Sequence, residues 1–309
     1  MNAVRNLVPW FRLVRLPNLL TVPGDPVAGF LLAAAGGPHG NLPVLMAAAG
    51  ASFCLYLFGL ILNDLLDLET DVRERPERPL PAGEITVPQA RMAAIAMGLS
   101  GLNLALFAGR PALMVAAALA GLIVLYNAAL KRVPAVGVVA MGLCRGLGLL
   151  LGAVAARPAL LRTPDASCVP VLVAACGLTL YVAAFSAVAR REMEADKPQG
   201  FTRWLPFAAL LIFLPALLAG VSAQERLTGV APTFYVFLMV MTLMRTWLLG
   251  GMLYRLQPVP VTVGGHIRNL LLVQACCCAV TGAQGLLPAF FFVLLSLVFV
   301  RVATRFYSS

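Results

Sequence analysis

The 309-residue chain is 61% apolar and 12% charged, with a mean hydropathy of +0.90. Soluble domains carry about 45–50% apolar and about 25% charged residues, so the composition excludes a cytosolic enzyme, a disordered chain and a disulfide-stapled secreted module. Lys and Arg outnumber Asp and Glu by 23 to 13, a formal charge of +10. So little wet surface remains for a basic stripe that this surplus points to membrane topology and site chemistry rather than to nucleic acid.

The N-terminal residues 1–17 interleave basic and apolar side chains and predict an interfacial helix leading into the first span, with no cleavable signal peptide. A crossing needs about 20 mainly apolar residues. Apolar runs between Pro, Gly and charge punctuation predict spans near 16–36, 42–65, 87–108, 111–130 and 135–156. Five more are predicted near 169–191, 204–222, 230–254, 266–283 and 286–305, the last two separated where Gly282, Gly285 and Pro288 interrupt the run. The expected fold is an all-α, polytopic transmembrane helix bundle, a single domain over residues 1–309. The seven cysteines stand in apolar stretches without metal-ligand spacing and read as small core residues. His39 and His266 are far apart in loop-like surroundings, which argues against a histidine metal site.

With ten crossings and a cytoplasmic N-terminus, the segments 5–15, 73–91, 131–132, 190–203, 255–268 and 301–305 fall on the cytoplasmic side and hold 17 of the 23 basic residues. The opposite side receives Arg110, Arg157, Arg162 and Arg226, while Arg145 and Arg245 lie inside spans. This asymmetry fixes the orientation by the positive-inside rule and favours an even number of crossings.

The acids are more concentrated still. Seven of 13 lie in 64–84 and three more are Glu192, Glu194 and Asp196, so ten occupy two short segments at the cytoplasmic ends of even-numbered spans. On a helix, Asp64, Asp67 and Asp71 follow i, i+3, i+7 and share a face, with Asn63 in the overlapping i, i+4, i+8 row. Unpaired, they would repel one another. A divalent cation relieves that repulsion, and oxygen ligands of this kind suit Mg²⁺. Glu192 and Asp196 stand at i, i+4 on a second helix end, which reads either as a solvated terminus or as an opposing acidic face. Two such faces across a bundle can hold two metals on one diphosphate.

The stretch NDLLDLETDVRERPERPLPAGEI, from Asn63 to Ile85, resembles the first signature of the UbiA superfamily of intramembrane prenyltransferases, including Arg78-Pro79-Leu80 and Gly83. Tyr126 with Lys131-Arg132 is similar to a second element of that family. The second Asp-rich signature is altered: Ala189 and Glu192 stand where acids of the pattern DxxDxxxD belong, while Asp196 and Gly200 keep their spacing. The resemblance covers about residues 10–285. It implies nine family helices, with 286–305 as an additional tenth.

The resemblance implies transfer of a polyprenyl group from a prenyl diphosphate to an aromatic or other small lipophilic acceptor within the membrane. Mg²⁺ would be held by Asn63, Asp64, Asp67 and Asp71 on one side and by Glu192 and Asp196 on the other. Lys131, Arg132 and Arg78 would contact phosphate oxygens, Tyr126 would shield the allylic cation or donate to the diphosphate, and loops 72–90 and 197–203 would exclude water. Arg145, about 15 Å into its span, reads as a group near diphosphate or acceptor, or as an Arg satisfied by a carbonyl or by snorkelling. Asp25, in Pro23-Gly24-Asp25-Pro26, reads as an acceptor-orienting group or as a helix cap, and Asn18 as a pocket-lining residue. Two alternatives stand beside the enzyme: a secondary transporter or lipid-binding membrane protein, and a weakened member that binds prenyl diphosphate without transferring it.

Overall fold

The computed structural model describes residues 2–34, 41–163, 165–192, 200–223, 229–254 and 259–306, and every long element among them is an α-helix. Helix α1 (Asn2–Leu13) passes through a short α2 (Leu16–Leu19) to α3 (Gly24–Ala34). Then follow α4 (Leu42–Leu66), α5 (Leu68–Glu74), α6 (Val87–Ala108), α7 (Arg110–Ala128) and α8 (Pro134–Ala156). The second half holds α9 (Val169–Glu192), α10 (Leu205–Ser222), α11 (Ala231–Tyr254), α12 (Val259–Ala279) and α13 (Ala283–Phe306). Among the described residues, eight helices are long and apolar enough to cross a membrane: those from Leu42, Val87, Arg110, Pro134, Ala166, Phe201, Ala231 and Val261. Met92, Phe107, Met114, Ile212, Met244 and Leu287 stand more than half exposed on outward faces. Water would not tolerate so much contiguous apolar surface, and hydrocarbon solvates it.

Local chemistry sets the helix ends. Thr86 and Gln89 form a capping box, each side chain accepting from the other's backbone N–H, with Pro88 in the first turn of α6. Gly109, at φ 128°, ψ 159°, separates α6 from α7. Gly282, at φ 86°, divides α12 from α13, whereas Gly285 and Pro288 lie inside α13.

The first predicted span, interrupted at Pro23-Gly24-Asp25-Pro26, divides into α2 and the 11-residue α3. At about 1.5 Å per residue α3 reaches roughly half the bilayer core. Pro26, with no N–H to offer, belongs in a first turn, so the helix restarts there. Helix α12 begins at Val259 instead of 266 and runs through Gly264-Gly265, so His266 is fully buried in a helix and not in a loop. A Cβ on Gly265 would strike Leu249 of α11, so glycine permits close packing here and does not end the helix. His39 lies outside the described residues.

Helix α8 packs against α3, α4, α7 and α9, and α12 against α3, α9, α11 and α13. The α3–α8 approach is at backbone distance. A Cβ on Gly29 would collide with the Leu149 carbonyl, and one on Gly152 with the Pro26 carbonyl. Gly142 and Gly146 give α9 the same access at Thr179. Accordingly, Gly152→Ala should lower stability by about 1–3 kcal/mol through overpacking, read as a lower melting temperature in detergent. Gly121→Ala, where nothing lies within 4 Å of the new Cβ, should change it by less than about 0.5 kcal/mol.

Candidate functional site

The acidic segment sits where α4 passes into α5. Asp67, at φ −93°, ψ 2°, kinks the chain, yet its N–H still reaches the Asn63 carbonyl at 2.9 Å and its carbonyl accepts from Asp71 N–H at 2.8 Å. The helical ladder therefore continues round a bend, and the expected single face is divided. Asp71 accepts from Arg78 Nη1 at 2.6 Å, with Asp64 Oδ1 4.0 Å from the same nitrogen. Asp67 turns the other way and binds Lys131 Nζ at 2.6 Å, where Asn63 Oδ1 also accepts at 3.3 Å. Among the described residues no three His, Cys, Asp or Glu side chains gather as a metal-binding group. Each acid of the motif is neutralised by a base instead.

Two of these bases are positioned with visible effort. Arg15 is the one non-glycine residue among those described with a positive φ (49°, ψ 57°), a left-handed conformation that costs about 1–2 kcal/mol. That turn sets its guanidinium 3.7 Å from Asp64 Oδ1. Lys131 and Arg132 lie on a 3₁₀ turn, Leu130–Arg132, whose Lys131 carbonyl accepts from Arg190 Nη1 of α9 at 3.1 Å. Gly137 lets α8 start directly beneath it, since a Cβ there would press on the Leu130 carbonyl and Lys131 Cα.

Behind these pairs a cavity of about 330 Å³ enters the bundle. Arg15, Asn18, Asn63 and Tyr126 line it near the acids, and Leu60, Leu119, Ile123, Val182, Phe185 and Leu270 give it apolar walls. Asp25 and Arg145 also line it, and Arg145 Nε lies 2.8 Å from Asp25 Oδ2. A second recess beside it is lined by Asp67, Glu69, Thr70, Lys131 and Arg132. Asn127 lines both. The segment after α5 covers this end: Leu80 and Ile85 are buried, and Arg12 fastens it through Glu84 and the Glu77 carbonyl.

Asn18, Asn63, Asp64, Asp67, Asp71, Arg78, Tyr126, Lys131, Arg132 and Arg145 are thus gathered at one cavity and its rim. Glu192 ends α9 with its side chain outside the described residues, and Asp196 lies outside them altogether, as do residues 197–199 of the loop expected to cover the site. Sequence reasoning missed Arg15 as a partner of Asp64, Arg190 as the brace on Lys131, and Gln274, which donates to Asp25 Oδ1 at 2.7 Å. Their basic or amide character was visible, but nothing local marks a contact made across tens or hundreds of residues.

The model of the UbiA prenyltransferase family matches residues 26–268. The digeranylgeranylglyceryl phosphate synthase of Methanoculleus marisnigri is 35% identical over 94 residues, 30% of this chain and 34% of that protein. The chain spans about a third to a half of the length of the curated relatives that it matches. Among solved structures, one of digeranylgeranylglyceryl phosphate synthase aligns with a TM-score of 0.63 at 20% identity, covering 91% of this chain and 99% of that one. A UbiA homologue from Archaeoglobus fulgidus bound to GPP and Mg²⁺ aligns at 0.56 and 16% identity, covering 88% and 99%. At such identities these structures share the fold.

The ion pairs of this end differ in burial, and their removal should differ in cost. Asp71 is 4% exposed, so Arg78→Ala strands a buried carboxylate and should cost about 3 kcal/mol. Arg12 and Glu84 are both well exposed, and Arg12→Ala should cost less than about 1 kcal/mol. Melting temperatures of the two variants, measured side by side, check the contrast.

Proposed function

The chain belongs to the UbiA prenyltransferase family, and on that premise we propose that it transfers a prenyl group from a prenyl diphosphate to an acceptor inside the membrane. It is an integral, multi-pass membrane protein. The observation that carries the proposal is the alternation of three carboxylates with Arg15, Arg78 and Lys131 at the mouth of an apolar cavity. A diphosphate needs charge of both origins: carboxylates to hold a divalent cation, and N–H donors for its own oxygens.

The donor set fits Mg²⁺. Asn63, Asp64, Asp67 and Asp71 present hard oxygen atoms and no sulfur or imidazole, and all are engaged by bases that a cation would replace. Glu192 and Asp196 are the proposed opposing ligands. Bound there, Mg²⁺ would neutralise the charge that grows on the departing diphosphate. With their carboxylate partners so engaged, Lys131, Arg78 and Arg15 donate to phosphate oxygens, and Arg132 does so from the rim. Tyr126 packs beside the reacting carbon and shields it from water. The segment 75–86 closes the same end and limits hydrolysis. The allylic tail lies along Leu60, Ile123, Val182 and Leu270 and reaches lipid between helices. The mouth is assigned to the cytoplasmic side, in line with the basic loops gathered there.

Transporters bind near the bilayer midplane on paired broken helices, whereas the acid motif here sits at helix ends. The altered second signature, with Ala189 and Glu192, favours one further reading, a member that binds the diphosphate without releasing it. The measurement is Mg²⁺-dependent release of diphosphate and formation of prenylated product by purified protein. Asp67→Asn should lower the rate by about 10²–10³, as loss of one charge-stabilising group does, and chelation of Mg²⁺ should abolish it. Tight diphosphate binding with no release would favour the weakened member. Unaltered rates in Asp67→Asn would contradict the metal assignment.

A further inference from the structure

The inner end of the cavity carries an arrangement that diphosphate binding does not need. Asp25 is 1% exposed; its Oδ1 accepts from Arg145 Nη2 (3.2 Å) and Gln274 Nε2 (2.7 Å), and its Oδ2 lies 2.8 Å from Arg145 Nε. The Thr21 carbonyl, freed where the chain breaks ahead of α3, accepts from the same two donors at 2.9 and 2.6 Å. Gln274 is held in place by Gly24, where any Cβ would displace its amide. Three separate helices, α3, α8 and α12, are therefore locked around one ion pair.

This group faces the cavity and lies deep in it. Ser52 and Asp25 both flank Gly148, the Ser52 Oγ within 3.4 Å and the Asp25 Oδ2 within 3.7 Å of its Cβ position. Ser52 is also a cavity-lining residue. It precedes Asn63 by 11 residues on α4, about 16 Å at 1.5 Å per residue. A diphosphate at the mouth, the reacting carbon and a small acceptor fill that distance. The floor is polar, which an isoprenoid tail would not match, and so the tail leaves sideways between the apolar walls. An acceptor is the molecule that the floor suits.

The charge of the floor selects its class. Two cations line the cavity, Arg15 and Arg145, and each has an acid beside it, Asp64 and Asp25. An anionic acceptor would meet no uncompensated positive charge there, and it would approach the Asp25 carboxylate. Arg145 Nε is buried without a hydrogen-bond partner, which leaves one donor of the pair unsatisfied. Asp25 Oδ2 and the hydroxyl of Ser52 remain as partners for an O–H. We propose that Asp25, Arg145 and Ser52 make this site specific for a neutral, hydroxyl-bearing acceptor, with Gln274 as a positioning residue. The inference rests on the transferase reading above and adds the acceptor class to it.

The test uses the full-length protein in detergent with Mg²⁺, one prenyl diphosphate and matched acceptor pairs: an alkylglycerol against its phosphate monoester, and 4-hydroxybenzyl alcohol against 4-hydroxybenzoate. Wild type should favour the neutral member by about tenfold or more in kcat/KM, because an anion buried beside Asp25 with no free counter-charge is costly. Asp25→Asn leaves Arg145 as a lone buried cation and should move the ratio about tenfold or more towards the anionic member, mainly through KM. The double variant Asp25→Asn/Arg145→Gln removes both charges and should restore the neutral preference. Affinity for the prenyl diphosphate, read in parallel, reports which variants are folded, and the wild-type ratio decides the matter if none is. Absence of Mg²⁺-dependent diphosphate release with every acceptor overturns the transferase reading and this inference with it. Transfer that favours the anionic member in wild type, or an unmoved ratio in folded Asp25→Asn, overturns this inference alone.

Discussion

A carboxylate carried from water into a helix bundle keeps its charge only where a counter-charge is held against it, because the low-dielectric interior makes an unpaired ion far more costly than a paired one. The chain meets that condition at two levels. At the mouth, Asp64, Asp67 and Asp71 are matched by Arg15, Arg78 and Lys131. Farther in, Asp25 is matched by Arg145. The helices, kinks and close approaches around the cavity are arranged so that these partners meet.

The two levels are built differently. The mouth pairs join side chains from the kinked α4–α5 junction, a strained turn at Arg15 and a 3₁₀ turn. Asp64 and Asp71 are buried, but their bases and Asp67 are partly open to solvent, so a metal and a diphosphate can reach the pairs and exchange with the bases. The inner pair is enclosed by three helices, and its 2.8 Å contact depends on α3 touching α8 at Gly29 and Gly152. Exchange of partners at the mouth and permanence at the floor follow from this contrast in burial. The first suits a charged substrate that must leave as product, and the second suits a fixed surface against which an acceptor is chosen.

Much of this was legible in the residues. Spans from 42 to 254 follow from apolar runs, because the bilayer requires uninterrupted stretches and leaves little room for alternatives. The acid motif and its basic companions were visible from spacing, as was the importance of Arg145, since a charge at that depth must serve some purpose. The kink at Asp67 was not visible: no Pro or Gly marks it, and the bend divides the acids between Arg78 and Lys131. The break in the first span was visible, since Pro23-Gly24-Asp25-Pro26 interrupts its apolar run and α3 restarts there. The ninth span, expected from 266, begins earlier at Val259 and runs through Gly264-Gly265, where glycine serves packing. The Asp25–Gln274 contact joins residues 249 apart, and no local pattern encodes it.

The account turns on the mouth acids and bases forming one diphosphate site. Equilibrium binding of a non-hydrolysable prenyl thiodiphosphate, titrated with and without Mg²⁺, tests that most directly. Binding should be tightened by Mg²⁺ in the wild type. Asp67→Asn should lose that gain while retaining the weaker metal-free binding that Lys131, Arg78 and Arg15 supply. Equal affinity with and without Mg²⁺, or a Mg²⁺ gain that survives in Asp67→Asn, would contradict it.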